Sequence, residues 1–124
     1  MLARALSGAV LGIDTIADLL GCDGAHAIAL RDDAVVGVLP LMSLDGGLGR
    51  VLNALPYFGS NGGPLAADDD ALDALCAWYA GQAGGAGVVA ATVIANPLVA
   101  QPPSVVHDLV DRRIGHVTPL QGEG

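Results

Sequence analysis

Arg50 to Pro64 reads R-V-L-N-A-L-P-Y-F-G-S-N-G-G-P, and it separates two kinds of sequence. Upstream, short apolar runs alternate with turn residues, the pattern of strands. Downstream, Asp68-Asp69-Asp70 opens an amphipathic repeat, the pattern of a helix. Between them, Pro-Tyr-Phe followed by Gly-Ser-Asn-Gly-Gly-Pro continues neither a ladder nor a helix, because these glycines and prolines break both. The stretch is therefore a strand, Arg50 to Leu55, that ends in an irregular loop.

Working upstream, Asp45-Gly46-Gly47-Leu48-Gly49 is a turn. Its glycines resemble a phosphate cradle, but such a cradle needs a helix N-terminus after it, and a strand follows here. Ala34 to Leu44 is too apolar to be half exposed, and Pro40 inside it removes a ladder donor, which implies an edge position or a bulge. Arg31-Asp32-Asp33 supplies a tight acidic turn, so the run from His26 and the run from Ala34 form a hairpin. Ile13, Ile16, Ala17 and Leu20 share one face of a short helix, which Gly21 closes in a left-handed conformation. Residues 1–12 read as a frayed helix or a truncated start. Their single Arg4 and the interruption at Ser7-Gly8 make a poor match to a secretory leader.

Working downstream, the three aspartates complement the dipole of the following helix. Leu72, Leu75, Cys76, Tyr79 and Ala83 form its buried stripe, and Gly84-Gly85 ends it. Trp78 lies off that stripe, on a flank or against a second packing surface. Val88 to Ala95 is an apolar strand, and a helix between strands implies a crossover with parallel pairing. Ser104 is a candidate N-cap for a short turn through Asp111, and Arg112 to Leu120 a candidate edge strand.

The 124 residues are 52% hydrophobic and 15% charged, which excludes a disordered chain and suits one domain. Five Arg, no Lys and a net charge of −8 exclude a basic nucleic-acid footprint. No apolar stretch is long enough for a membrane helix. Cys22 and Cys76 make no metal pair and need no bridge, so a cytoplasmic setting is the simpler expectation.

Candidate site residues concentrate in the loop. Tyr57 and Phe58 would form an apolar floor, Ser60 and Asn61 hydrogen-bonding groups, and Gly62 and Gly63 exposed backbone amides, a pocket wall of the kind rigid scaffolds carry on loops. The alternative is a plain connection into the helix. Ser60 lacks the glycine two residues before it that a nucleophile elbow requires, so no residue takes a catalytic label. His107, Asp108 and Asp111 make too sparse a set for a metal, and none is expected. His26 and His116 read as structural histidines, and Cys76 as a small hydrophobe.

Taken in order, V-V-G-V-L-P-L-M (Val35 to Met42), G-R-V-L-N-A-L-P-Y-F (Gly49 to Phe58), N-G-G-P-L (Asn61 to Leu65) and an acid-started helix resemble the FemAB-like branch of the GNAT acyltransferase superfamily. The resemblance runs from about Ala27 to Ala83, with Arg113 to Leu120 similar to the strand that closes the first half of those proteins. It implies an α/β (α+β) fold, a GNAT-like mixed twisted sheet of about five to six strands flanked by two or three helices. It also implies transfer of an acyl or aminoacyl group to an amine, on a cell-envelope or sugar precursor. This chain, as a single half-domain, would supply the acceptor side. An acyl-CoA or aminoacyl donor, and a second half or a second copy as partner, come with that resemblance. The competing expectation is a non-catalytic, homodimerising interaction module.

Overall fold

The computed structural model describes residues 2–6, 13–54, 62–95, 103–112 and 118–119. Near the start of the chain lies β1 (Leu2–Leu6), which pairs antiparallel with β3 below; of the stretch 1–12 read as a frayed or truncated start, 2–6 form this strand, and 1 and 7–12 lie outside the described residues. Helix α1 (Ile13–Leu20) follows at the predicted place. Gly21 takes φ 66°, its N–H donates to Asp18 O at 3.2 Å, and Cys22 N–H donates to Ala17 O at 2.9 Å. Those two bonds satisfy the last carbonyls in the double-bonded glycine cap.

After a two-residue β2 (Asp23–Gly24), β3 (His26–Arg31) and β4 (Ala34–Leu39) form the predicted hairpin. Asp32 and Asp33 have φ of 49° and 64°. Positive φ at both central residues is what a two-residue turn between right-twisted strands requires. The register slips by one between Ala29 and Leu30, where Val36 is the extra residue of a bulge in β4.

Pro40 acts otherwise than expected. The run from Ala34 to Leu44 is not one strand: it breaks at Pro40-Leu41, and β5 (Met42–Gly46) belongs to a different sheet. Proline withholds a ladder donor and restricts the residue before it, so the ladder stops and the chain changes direction. β5 then pairs with β6 (Gly49–Asn53) across the Gly47-Leu48 turn. The Gly46–Gly49 segment is thus a hairpin turn.

β7 (Leu65–Ala66) adds a short strand beside β4, and α2 (Asp69–Ala83) follows, capped by the Asp68 carboxylate on Ala71 N–H at 3.0 Å. Gly84 closes it, and β8 (Val88–Thr92) runs parallel to β6. The crossover and mixed pairing are as predicted.

The architecture is α+β, with two helices and two four-stranded sheets among the described residues, ordered β1-β3-β4-β7 and β2-β5-β6-β8. The expectation of one sheet with five or six strands is corrected, because the break at Pro40 divides the strands between two. Residues 103–112 carry no helix, so Ser104 does not cap one. Of the last candidate strand, 113–117 and 120 lie outside the described residues, and 112, 118 and 119 are not in strands.

α2 packs its Ala71, Leu75, Cys76 and Tyr79 stripe onto the sheets, where Ala27, Ala29, Leu39, Leu41, Leu52 and Ala54 complete the core. Leu72 and Ala83, at the stripe's margins, are only half-buried, and Trp78 packs on the flank of the same core. Small residues let the helix approach. A Cβ on Gly37 would sit 2.9 Å from Leu75 Cδ1 and 3.2 Å from Leu65 O.

Candidate functional site

β6 and β8 are the parallel pair, and their C-terminal ends meet at the partners Asn53 and Thr92. Ligands in open α/β sheets bind at the carboxyl ends of parallel strands; here the parallel pair is the edge of an otherwise antiparallel sheet. The loop singled out in the sequence leaves from this point. Its first foot is Ala54, buried, whose N–H donates to Thr92 O at 3.1 Å. Its second foot is Gly62-Gly63-Pro64, all buried. Gly63 lies against the segment that continues β8: a Cβ there would be 2.5 Å from Ile94 O and 3.2 Å from Ala95 Cα. Both feet, Ala54 and Gly63, are therefore held by β8 and its extension.

Tyr57, Phe58, Ser60 and Asn61 lie outside the described residues. Gly62 and Gly63 are brought together at the second foot, in a packed position rather than on an open wall. The glycine at 63 answers to close backbone approach, a role its sequence context left open. Beside this foot, Leu39, Pro64, Cys76, Tyr79, Val93, Pro103 and Val105 line an apolar seam with no room for a water molecule. The seam joins α2 and β4 to the second foot, the continuation of β8 and residues 103–105.

The ionisable groups of the seam are quiet ones. Burial pushes the Cys76 thiol up, the Asp73 carboxylate adds to that, and a backbone hydrogen bond from Ser104 opposes it. Burial likewise pushes the Tyr79 phenol up. Both stay protonated at neutral pH, so neither supplies a nucleophile there. His26 is the buried structural histidine expected, with Leu41 N–H donating to its Nδ1 at 3.2 Å. That bond fixes the chain where it leaves Pro40 for the second sheet. His107 is exposed and its Nδ1 lies 2.9 Å from Val105 O. Among the described residues no three His, Cys, Asp or Glu side chains gather as a metal set.

One group was missed by the sequence reading. Asn53, the last residue of β6, keeps its carboxamide Oδ1 buried with no hydrogen-bond partner. A strand-end Asn is so ordinary that only its burial distinguishes it. Buried side-chain oxygens are nearly always paired, so the exception asks for an explanation.

No helix among the described residues is long and apolar enough to cross a membrane. Comparison with protein-family models, with curated proteins and with solved structures gives no match.

Proposed function

We propose that the chain is the acceptor-side half of an acyltransferase, placing an amine for attack on an activated acyl or aminoacyl carbonyl supplied by a second half. In such a transfer the amine nitrogen forms the C–N bond, the bond from carbonyl carbon to the donor's leaving group breaks, and an amine proton leaves with that group's charge. Positioning and oxyanion stabilisation carry most of the rate in chemistry of this kind, so the reading requires no triad. The observation that carries it is the seating of Ala54 and Gly63, which bracket residues 55–61 in the chain, against β8 and its continuation at the C-terminal end of the parallel pair β6 and β8. The ordered motifs resembling the FemAB-like branch support the same reading, and the −8 charge draws ammonium ions, each of which loses one proton to solvent before the neutral amine attacks.

The test is an NMR titration of the ¹⁵N-labelled chain with three primary amines: ethanolamine, D-glucosamine and L-lysine amide. Saturable shifts of the Gly62, Gly63 and loop amides with at least one of them are expected. No saturable shift with any of the three overturns the reading.

A second reading, a homodimerising module without catalysis, has its own support. Leu44 and Val51 are cross-strand partners exposed together at 49% and 40%, and Val89 on the neighbouring strand is 56% exposed. Exposed apolar side chains on adjacent strands suit a protein partner. Sedimentation equilibrium decides it: a dimer that Val51→Asp dissociates supports the module, and a monomer at 100-micromolar order concentrations rejects it.

A further inference from the structure

Each sheet has two outer strands, and three of those four are poor templates for a further strand. β2 and β7 are two residues long, and β1 contains the charged Arg4. Shortness and charge are what ordinarily keep sheet edges from pairing. β8 has neither. It reads V-V-A-A-T, it ends its sheet, and Val89, Ala90 and Thr92 are exposed. Among the described residues no strand covers its outer side.

The pairing with β6 fixes which backbone groups look outward. Thr92 O accepts from Ala54 N–H at 3.1 Å, so Thr92 turns its backbone groups towards β6. In a parallel ladder the alternate residue, Ala91, then turns its N–H and C=O away. Charge decides what pairs there. Residues 74–107 contain no Asp, Glu, Lys or Arg, although the whole chain carries 13 acidic and five basic side chains. A chain of net charge −8 repels its own copies through most of its surface, but β8 set against itself brings no charge opposite its like. The same neutrality offers nothing to steer an acidic or basic peptide onto the edge.

We infer that a second copy of this chain pairs with β8, antiparallel across a twofold axis at Ala91. The two four-stranded β2-β5-β6-β8 sheets then become one sheet of eight strands. Ala91 exchanges both outward hydrogen bonds with Ala91 of the partner subunit. Ala90 falls opposite Thr92 of the partner subunit, on the exposed face. This pairing rests on the homodimer reading and gives it the strand through which the copies meet.

The test is sedimentation equilibrium of wild type and three variants, with folding read from urea midpoints. Wild type should be a dimer. Ala90→Asp with Thr92→Asp sets like charges opposite each other across the axis and should weaken association at least tenfold. Ala90→Lys with Thr92→Asp sets opposite charges there and should associate within threefold of wild type. If the double-aspartate chain does not fold, the Ala91 amide of wild type is the readout. Its hydrogen exchange should slow at least threefold as the chain passes from monomer to dimer.

A wild-type monomer at 100-micromolar order concentrations overturns this inference and the homodimer reading together, and leaves the edge to an extended segment of another protein. A double-aspartate chain that stays dimeric overturns the edge pairing; if Val51→Asp dissociates that dimer, the homodimer reading stands. Equal weakening by the two double variants overturns the antiparallel pairing at Ala91. An Ala91 amide whose exchange ignores concentration does the same.

Discussion

Arg31 and Asp68 meet at the start of α2, where the two terminal guanidinium nitrogens donate to the two carboxylate oxygens at 2.6 and 3.0 Å. The same carboxylate accepts from Ala71 N–H at 3.0 Å. One side chain thus caps the helix and ties it to the β3–β4 hairpin. The Arg31 hydrogen bond first, and the Ala71 amide second, hold the Asp68 carboxyl below its ordinary 3.8. Its folded pKa is below its unfolded one, so its stabilisation is whole above the unfolded value and lost as pH falls through the folded one. Asparagine also caps helices but carries no charge. Asp68→Asn should therefore lower the urea midpoint at pH 7, with the difference from wild type closing below about pH 4. With both partners about 40% exposed, salt near 1 M should shrink the effect at pH 7 as well. A difference that is constant with pH contradicts the ion pair.

Gly49 and Gly47 provide a matched pair. Gly49 has φ 132°, and a Cβ there would meet Val89 Cγ1 at 2.5 Å and Gly87 O at 2.7 Å. Gly47 has nothing within 4 Å. Gly49→Ala should destabilise the chain by about 2 kcal/mol or more, combining backbone strain with overpacking. Gly47→Ala should stay within about 0.5 kcal/mol of wild type, as open surface sites do. Urea midpoints at pH 7 check both, and equal losses would contradict the packing of β6 on β8.

Leu75 is fully buried at the centre of the α2 stripe. Leu75→Ala should cost about 2–5 kcal/mol through lost burial and the cavity left behind. Leu19, on α1, is 84% exposed, and Leu19→Ala should change stability by less than about 0.5 kcal/mol. Similar losses at the two sites would contradict the assigned core.

The β3–β4 turn asks for glycine where the sequence has aspartate. Asp33 sits at φ 64° without the freedom of glycine. Asp33→Gly should raise stability by a few tenths to about 1 kcal/mol, relief of left-handed strain outweighing the entropy of the more flexible unfolded chain. A loss of stability would show that the Asp33 side chain holds the turn.

These residues also mark what was legible in the sequence. The helices were readable because Gly21, Asp68 and Gly84 punctuate clean apolar periodicities. The hairpin at Asp32-Asp33 and the parallel return of β8 followed from turn chemistry and from a helix set between strands. The division into two sheets was not readable. Pro40 signals a break, but whether the chain then bulges or changes sheet depends on contacts distant in sequence, among them the His26–Leu41 bond. β1 was missed because its partner, β3, lies twenty residues or more away, and a five-residue apolar segment has no decisive period. At the candidate site, the loop's glycines were visible, but their use as a buried foot against Ile94 was not. Asn53 escaped because burial of one atom leaves no trace in sequence.

Whether the end of the β6–β8 pair receives an amine is read out by titrating the ¹⁵N-labelled chain with ethanolamine, D-glucosamine and L-lysine amide. Saturable shifts of the Gly62, Gly63 and loop amides are expected with at least one amine. A spectrum unchanged at that strand end up to saturating millimolar amine would contradict it.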